Sequence, residues 1–135
     1  MRLTMLGSGT SSGVPRIGND WGRCDPANPR NRRRRVSVLV EAGGVRLLVD
    51  TGPDMREQLL DAGIGWITAV LYTHDHADHT HGIDDLRQLF HAQGSELDLY
   101  MDQPTRSGLR TRFPYVFAGR EGYAATAKAH LLQPE

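Results

Sequence analysis

Residues 69–91 constrain the fold of this chain more than any other stretch. Ala69-Val70-Leu71-Tyr72 is an apolar run with the length and composition of a buried strand. It leads straight into Thr73-His74-Asp75-His76-Ala77-Asp78-His79-Thr80-His81-Gly82. Helical spacing then resumes at Ile83, with Leu86, Leu89 and Phe90 on one side. Four of the six histidines and four aspartates fall between His74 and Asp85. A titratable turn between a buried strand and a helix lies at the carboxyl end of that strand, where α/β sheets commonly carry their sites.

The flanking segments complete a mixed α/β pattern. Residues 2–6 read as a short strand. Gly7 to Arg35 lacks periodicity and is rich in Gly, Pro, Asn and Arg, a loop length uncommon in a compact domain unless functional or disordered. Residues 36–41 and 45–50 are β-branched runs joined by Ala42-Gly43-Gly44, which predicts a hairpin. Pro53 and Asp54 suit the first turn of a helix whose apolar face is Met55, Leu59 and Leu60, with Gly63 just past its end. Residues 97–101 read as a strand and 104–113 as a helix with Leu109 and Phe113 inward. Residues 118–135 are Ala-rich and poor in strand signals. Strands followed by helices, without repeat or linker, predict one domain over residues 1–135.

Composition narrows the classes further. The 135 residues, 39% of them hydrophobic, fit one globular domain. The single cysteine, Cys24, excludes an internal disulfide framework and a four-cysteine zinc knuckle. The opening residues lack the apolar core of a signal peptide, and no stretch approaches the roughly 18 apolar residues of a membrane span. The expectation is a cytoplasmic protein with no membrane partner. Net charge is zero, yet residues 1–35 hold eight arginines against Asp20 and Asp25. Six of the eight are Arg23 and the Arg30, Arg32, Arg33, Arg34, Arg35 run. Three readings of that run stand: a solvated or acid-paired loop, contact with a substrate phosphate, and nucleic-acid binding. The single Lys, zero net charge and sparse aromatics argue against the last.

Imidazole and carboxylate are both good transition-metal ligands. His74 and His76, two apart on an extended turn, can converge on one ion, while Asp78 and His79 can reach a second. The alternative is an exposed polar loop that binds nothing. His81 suits a supporting or helix-capping role better than ligation. His91 and His130 are isolated and read as surface residues, and Cys24 as a loop residue.

Thr73-His74-Asp75-His76-Ala77-Asp78-His79 resembles the His-x-His-x-Asp-His signature of the metallo-β-lactamase superfamily. Residues 6–15 resemble the glycine-rich turn of its phosphodiesterase branch, and Leu48-Val49-Asp50-Thr51-Gly52-Pro53-Asp54 its strand-to-helix motif. His81-Gly82-Ile83-Asp84-Asp85-Leu86-Arg87 is similar to the helix opening in relatives of phosphoribosyl cyclic phosphate phosphodiesterase. The resemblance implies an α/β (α+β) fold, an αββα sandwich of which this chain covers the N-terminal half. It implies two divalent ions, Zn or Mn, with His74 and His76 on one and Asp78 and His79 on the other. Asp78 would also orient the attacking hydroxide, and Asp50 would hold a ligand histidine or the loop backbone. Asp50 as a helix-capping carboxylate is the alternative.

The implied function is metal-dependent hydrolysis of a small, cyclic phosphodiester. Alternatives are a tRNA 3′-processing endonuclease, a lactonase or thioesterase of the same superfamily, or a non-catalytic metal-binding remnant. The family pattern adds a later His for each ion and a bridging Asp. Here only His130 follows His91 and no Asp follows Asp102, so the activity belongs to a complete form. A homodimer is compatible with the pattern, and no substrate-binding residue is assigned.

Overall fold

The computed structural model describes residues 1–133. Six strands form one sheet in chain order: β1 (Arg2–Gly7), β2 (Ser37–Ala42), β3 (Val45–Val49), β4 (Ala69–Leu71), β5 (Leu97–Met101) and β6 (Ala127–Leu131). The first three are antiparallel neighbours, and β3 to β6 run parallel. The hairpin falls as the sequence predicts, with Gly43 and Gly44 both at positive φ in its turn. The helices are α1 (Met55–Asp61), the single turn α2 (Ala77–Thr80), α3 (Leu86–Gln93), α4 (Gln103–Arg112) and α5 (Pro114–Ala118).

Burial alternates along β2, β3 and β5, so one face of the sheet is more deeply covered than the other. Leu39, Leu48, Val70, Leu97, Leu99 and Met101 are buried against Met55, Leu59, Leu86, Leu89, Leu109 and Val116 of the helices. The alternate residues Val38, Val40, Leu47, Val49, Leu71 and Tyr100 stay half-buried. The helices therefore form a single layer on a single sheet.

Two local expectations fail. Residues 127–131 form β6, although Ala127, Lys128 and Ala129 have weak strand propensity. Parallel pairing with all five residues of β5 outweighs that preference. On α1, Leu60 is 59% exposed while Gln58 is buried, donating from Nε2 to the Arg35 carbonyl at 2.8 Å. The polar side chain is inside because a loop carbonyl there needs a donor. Beyond α1, Gly63 takes φ +65° and Ile64 N–H returns to Leu59 O, as a C-terminal glycine permits.

Candidate metal centre

Parallel pairing aligns the carboxyl ends of β3, β4 and β5 on one sheet edge. Asp50 leaves β3 there, the histidine turn leaves β4, and Asp102 leaves β5. Asp50 N–H bonds Leu71 O, and Tyr72 N–H bonds Tyr100 O, both at 2.9 Å, so the edge is stitched together. His74 and His76 lie in the turn before α2; Asp78 and His79 lie on α2 itself. The rings gather: His74 to His76 is 4.5 Å between centroids and His74 to His79 is 4.0 Å.

Asp50 organises this cluster. It is buried, and it holds φ +62°, a left-handed conformation uncommon for a residue with a side chain. Its Oδ1 accepts from Thr73 N–H at 2.8 Å, and its Oδ2 from the Thr73 hydroxyl at 2.8 Å. Oδ2 also meets His79 Nδ1 at 2.7 Å. A carboxylate only accepts, so His79 Nδ1 carries a proton, which in the neutral ring leaves the lone pair on Nε2. The Thr73 hydroxyl has one hydrogen, already given to Asp50. At 3.0 Å from His74 Nδ1 it must accept, which fixes His74 in the same tautomer. One carboxylate thus leaves the Nε2 atoms of two imidazoles free to act as ligands. Asp50 does not cap α1, whose N-cap residue is Asp54.

The loop is held from behind by close backbone packing. Thr51 N–H bonds His79 O at 2.8 Å and Gly82 N–H bonds Thr51 O at 2.7 Å. A β-carbon on Gly52 would overlap the Asp78 carbonyl, and one on Gly82 would overlap the Gly52 carbonyl. Tyr72 OH meets the Thr51 hydroxyl at 2.7 Å, and burial pushes its phenol well above the ordinary value, so it stays neutral. His81 ends α2, its backbone N–H on Ala77 O and its ring edge-on to Phe113. His91 is exposed, whereas His130 on β6 is half-buried, its Nε2 at 2.6 Å from Asp98 Oδ1.

Two contributors carry no sequence signal. Thr73 acts as the relay described above. Arg112, at the end of α4, donates to the Asp75 carbonyl at 2.8 Å and to Asp75 Oδ2 at 2.9 Å. Its Nη1 lies 3.5 Å from His81 Nε2. Asp102 starts α4 by accepting from Thr105 N–H at 2.9 Å, and the Thr105 hydrogen bonds hold its carboxyl below the ordinary range.

Among the described residues, no three His, Cys, Asp or Glu side chains already converge as a cage for one ion. The donor set nevertheless fits a divalent cation. Two ligands at about 2.0–2.2 Å from a tetrahedral ion sit roughly 3.3–3.6 Å apart. His79 Nε2 and Asp78 Oδ2 are 3.3 Å apart. In the neutral ring with the proton on Nδ1, those two atoms face each other as acceptors, an arrangement that a cation between them satisfies.

A mixed sheet with one helical layer and a His-x-His-x-Asp-His turn at its carboxyl edge defines half of a metallo-β-lactamase-fold sandwich. The chain belongs to this superfamily: the family model described as beta-lactamase superfamily domain matches residues 45–134. It superposes with a TM-score of 0.86 on a crystal structure described as a new diphosphatase from the PhnP family, at 43% identity over 98% of this chain and 50% of that one. Zn(2+)-bound PqqB from Methylobacterium extorquens aligns with a TM-score of 0.74 at 26% identity, over 98% of this chain and 46% of that one. An octanoyltransferase of Porphyromonas gingivalis (strain ATCC BAA-308 / W83) is 43% identical over 118 residues, 87% of this chain and 24% of that protein. The chain thus spans about half the length of the solved relatives and a quarter of the octanoyltransferase. Its superfamily is one of hydrolases, and no helix among the described residues is long and apolar enough to cross a membrane.

Proposed function

We propose that this chain carries the first half of a metal-dependent phosphodiesterase centre, acting on a small, cyclic phosphodiester. The observation that carries the reading is the facing pair His79 Nε2 and Asp78 Oδ2, backed by the Asp50 relay that leaves the Nε2 atoms of two neighbouring imidazoles free as ligands. His74 and His76 would hold one cation, Asp78 and His79 a second, Zn or Mn by donor type. Bound cations of this kind acidify water and neutralise charge on a phosphoryl group. Asp50 sets ring tautomers, Asp78 accepts a proton or orients the nucleophile, and Arg112 steadies the turn through Asp75. The 43% identity to a PhnP-family diphosphatase over 98% of the chain supports bond cleavage at phosphorus. A phosphoanhydride substrate is the second reading favoured by that same likeness. Full activity belongs to a form that completes the ligand set, and a homodimer is compatible with it.

Equilibrium dialysis against Zn2+ or Mn2+, followed by metal analysis, tests the site directly. The chain is expected to retain bound metal, and His76→Ala or Asp78→Ala to release it. In the complete form, His76→Ala abolishes hydrolysis of bis(p-nitrophenyl) phosphate. Metal retention unchanged in both variants overturns the assignment.

A further inference from the structure

The arginine run is not a loose charged loop. Arg33 and Val14 exchange two backbone hydrogen bonds at 2.9 Å, and Gly9 N–H bonds Arg34 O at 2.7 Å. A β-carbon on Gly7 would overlap the Arg35 carbonyl, and one on Gly9 the Arg34 carbonyl. Gly7 and Gly9 therefore let the turn pack directly on the backbone of the arginines. Together they wall a groove of about 840 Å³, lined by Arg30, Arg32, Arg33, Arg34 and Arg35, with Asp54 as its one carboxylate.

The charges in this groove are only partly answered. Arg35 is committed to Asp54 at 2.6 Å and Arg34 to Asp61 at 2.7 Å. Arg32 stacks over Trp21, its guanidinium carbon 5.4 Å from the ring centroid. Arg30, Arg32 and Arg33 have no carboxylate partner among the described residues. Like charges held together on a fixed backbone repel, and that cost is offset when an anion binds between them. Guanidinium forks match phosphate oxygens in pairs. The volume lies within the roughly 300–1,000 Å³ range of small-ligand pockets, which suits several linked phosphates better than one ion.

We propose that this groove is a binding site for a short linear oligophosphate, free or as the phosphate tail of a nucleotide. It is a site separate from the histidine turn and does not depend on the hydrolase reading. The two are nonetheless neighbours, since Asp54 and the Gly52 backbone that packs on Asp78 belong to one turn.

Isothermal titration calorimetry of the whole chain in EDTA-containing, low-salt buffer tests the site with sodium tripolyphosphate, ATP and adenosine. Tripolyphosphate and ATP are expected to bind one per chain while adenosine does not. Similar affinities point to the phosphates alone, and at least tenfold tighter ATP points to a nucleotide tail. Arg30→Ala/Arg33→Ala, both exposed side chains, weakens binding at least tenfold. The control Arg110→Ala/Arg120→Ala removes equal charge elsewhere and changes it less than twofold. His76→Ala retains binding, which separates this site from the metal centre. Equal weakening by both double variants overturns the proposal. So does capture of a single-stranded RNA oligomer with no measurable affinity for tripolyphosphate.

Discussion

Asp50 shows how much of the site rests on one side chain. The sequence placed it at the end of a strand and left open whether it holds a histidine, holds the loop, or caps a helix. Its contacts reach His79 and Thr73, while the N-cap position of α1 is Asp54, whose carboxylate accepts from Arg35. Thr73 could not be read from sequence because its role depends on one hydroxyl hydrogen being spent on Asp50. Replacing Asp50 by Asn offers an amide N–H toward the Thr73 hydroxyl and His79 Nδ1, which both already donate, so the His79 Nδ1–H loses its acceptor and the Thr73 hydroxyl that orients His74 loses its own. Divalent-metal affinity is expected to fall about 10–100-fold in Asp50→Asn, measured by competition with a chromophoric chelator. Unchanged affinity would show that the rings are oriented without it.

Asp54 offers a pH-dependent counterpart. Burial acts to raise its carboxyl pKa, but the three hydrogen bonds from Arg35 outweigh it and hold the value below the ordinary 3.8. The folded-state pKa is therefore the lower one. Its stabilisation is fully present above about pH 4, and is lost as pH falls through the depressed value. Asp54→Asn is expected to cost about 1 kcal/mol at pH 7, discounted for partial exposure. Urea melts across pH 2–7 check the sign: the two proteins should differ at neutrality and converge in acid.

At the scale of elements, the legible parts were those whose own sequence decides them. The hairpin glycines, the apolar β4 run and the Leu86–Leu89 spacing all act locally, and each appears where it was read. β6 and Arg112 depend on partners about 30 residues or more away, β5 for the strand and Asp75 for the arginine. Periodicity cannot report such partners. Arg112 joins the C-terminal end of α4 to the turn that carries His74 and His76, so its removal acts on that turn rather than on the core. Arg112→Ala should raise amide exchange across residues 73–81 several-fold while leaving the β2–β3 ladder protected, as hydrogen-exchange mass spectrometry can resolve. Arg112→Lys keeps the charge but loses the forked contact, and is expected to fall between the two.

The whole molecule is set by having one helical layer for a two-faced sheet. Leu3 and Met5 on β1, 61% and 57% exposed, begin an apolar band that continues through Val38, Val40, Leu47, Val49 and Leu71. Across β5 and β6 the same face turns polar, with Asp98, Tyr100, Lys128 and His130 in register. This asymmetry follows from strand alternation alone: apolar residues at both parities in β2 and β3 announce a sheet built to be covered twice. An apolar band of this kind favours association over a dispersed monomer. The chain by itself is therefore expected to bind an environment-sensitive dye such as ANS and to sediment with concentration-dependent mass. Leu3→Glu/Met5→Lys adds charge at the exposed edge without touching the buried face, and should shift sedimentation toward the monomer while circular dichroism stays the same. A parent chain that already sediments as a monomer at high concentration, with no dye fluorescence, would show that this face is not adhesive.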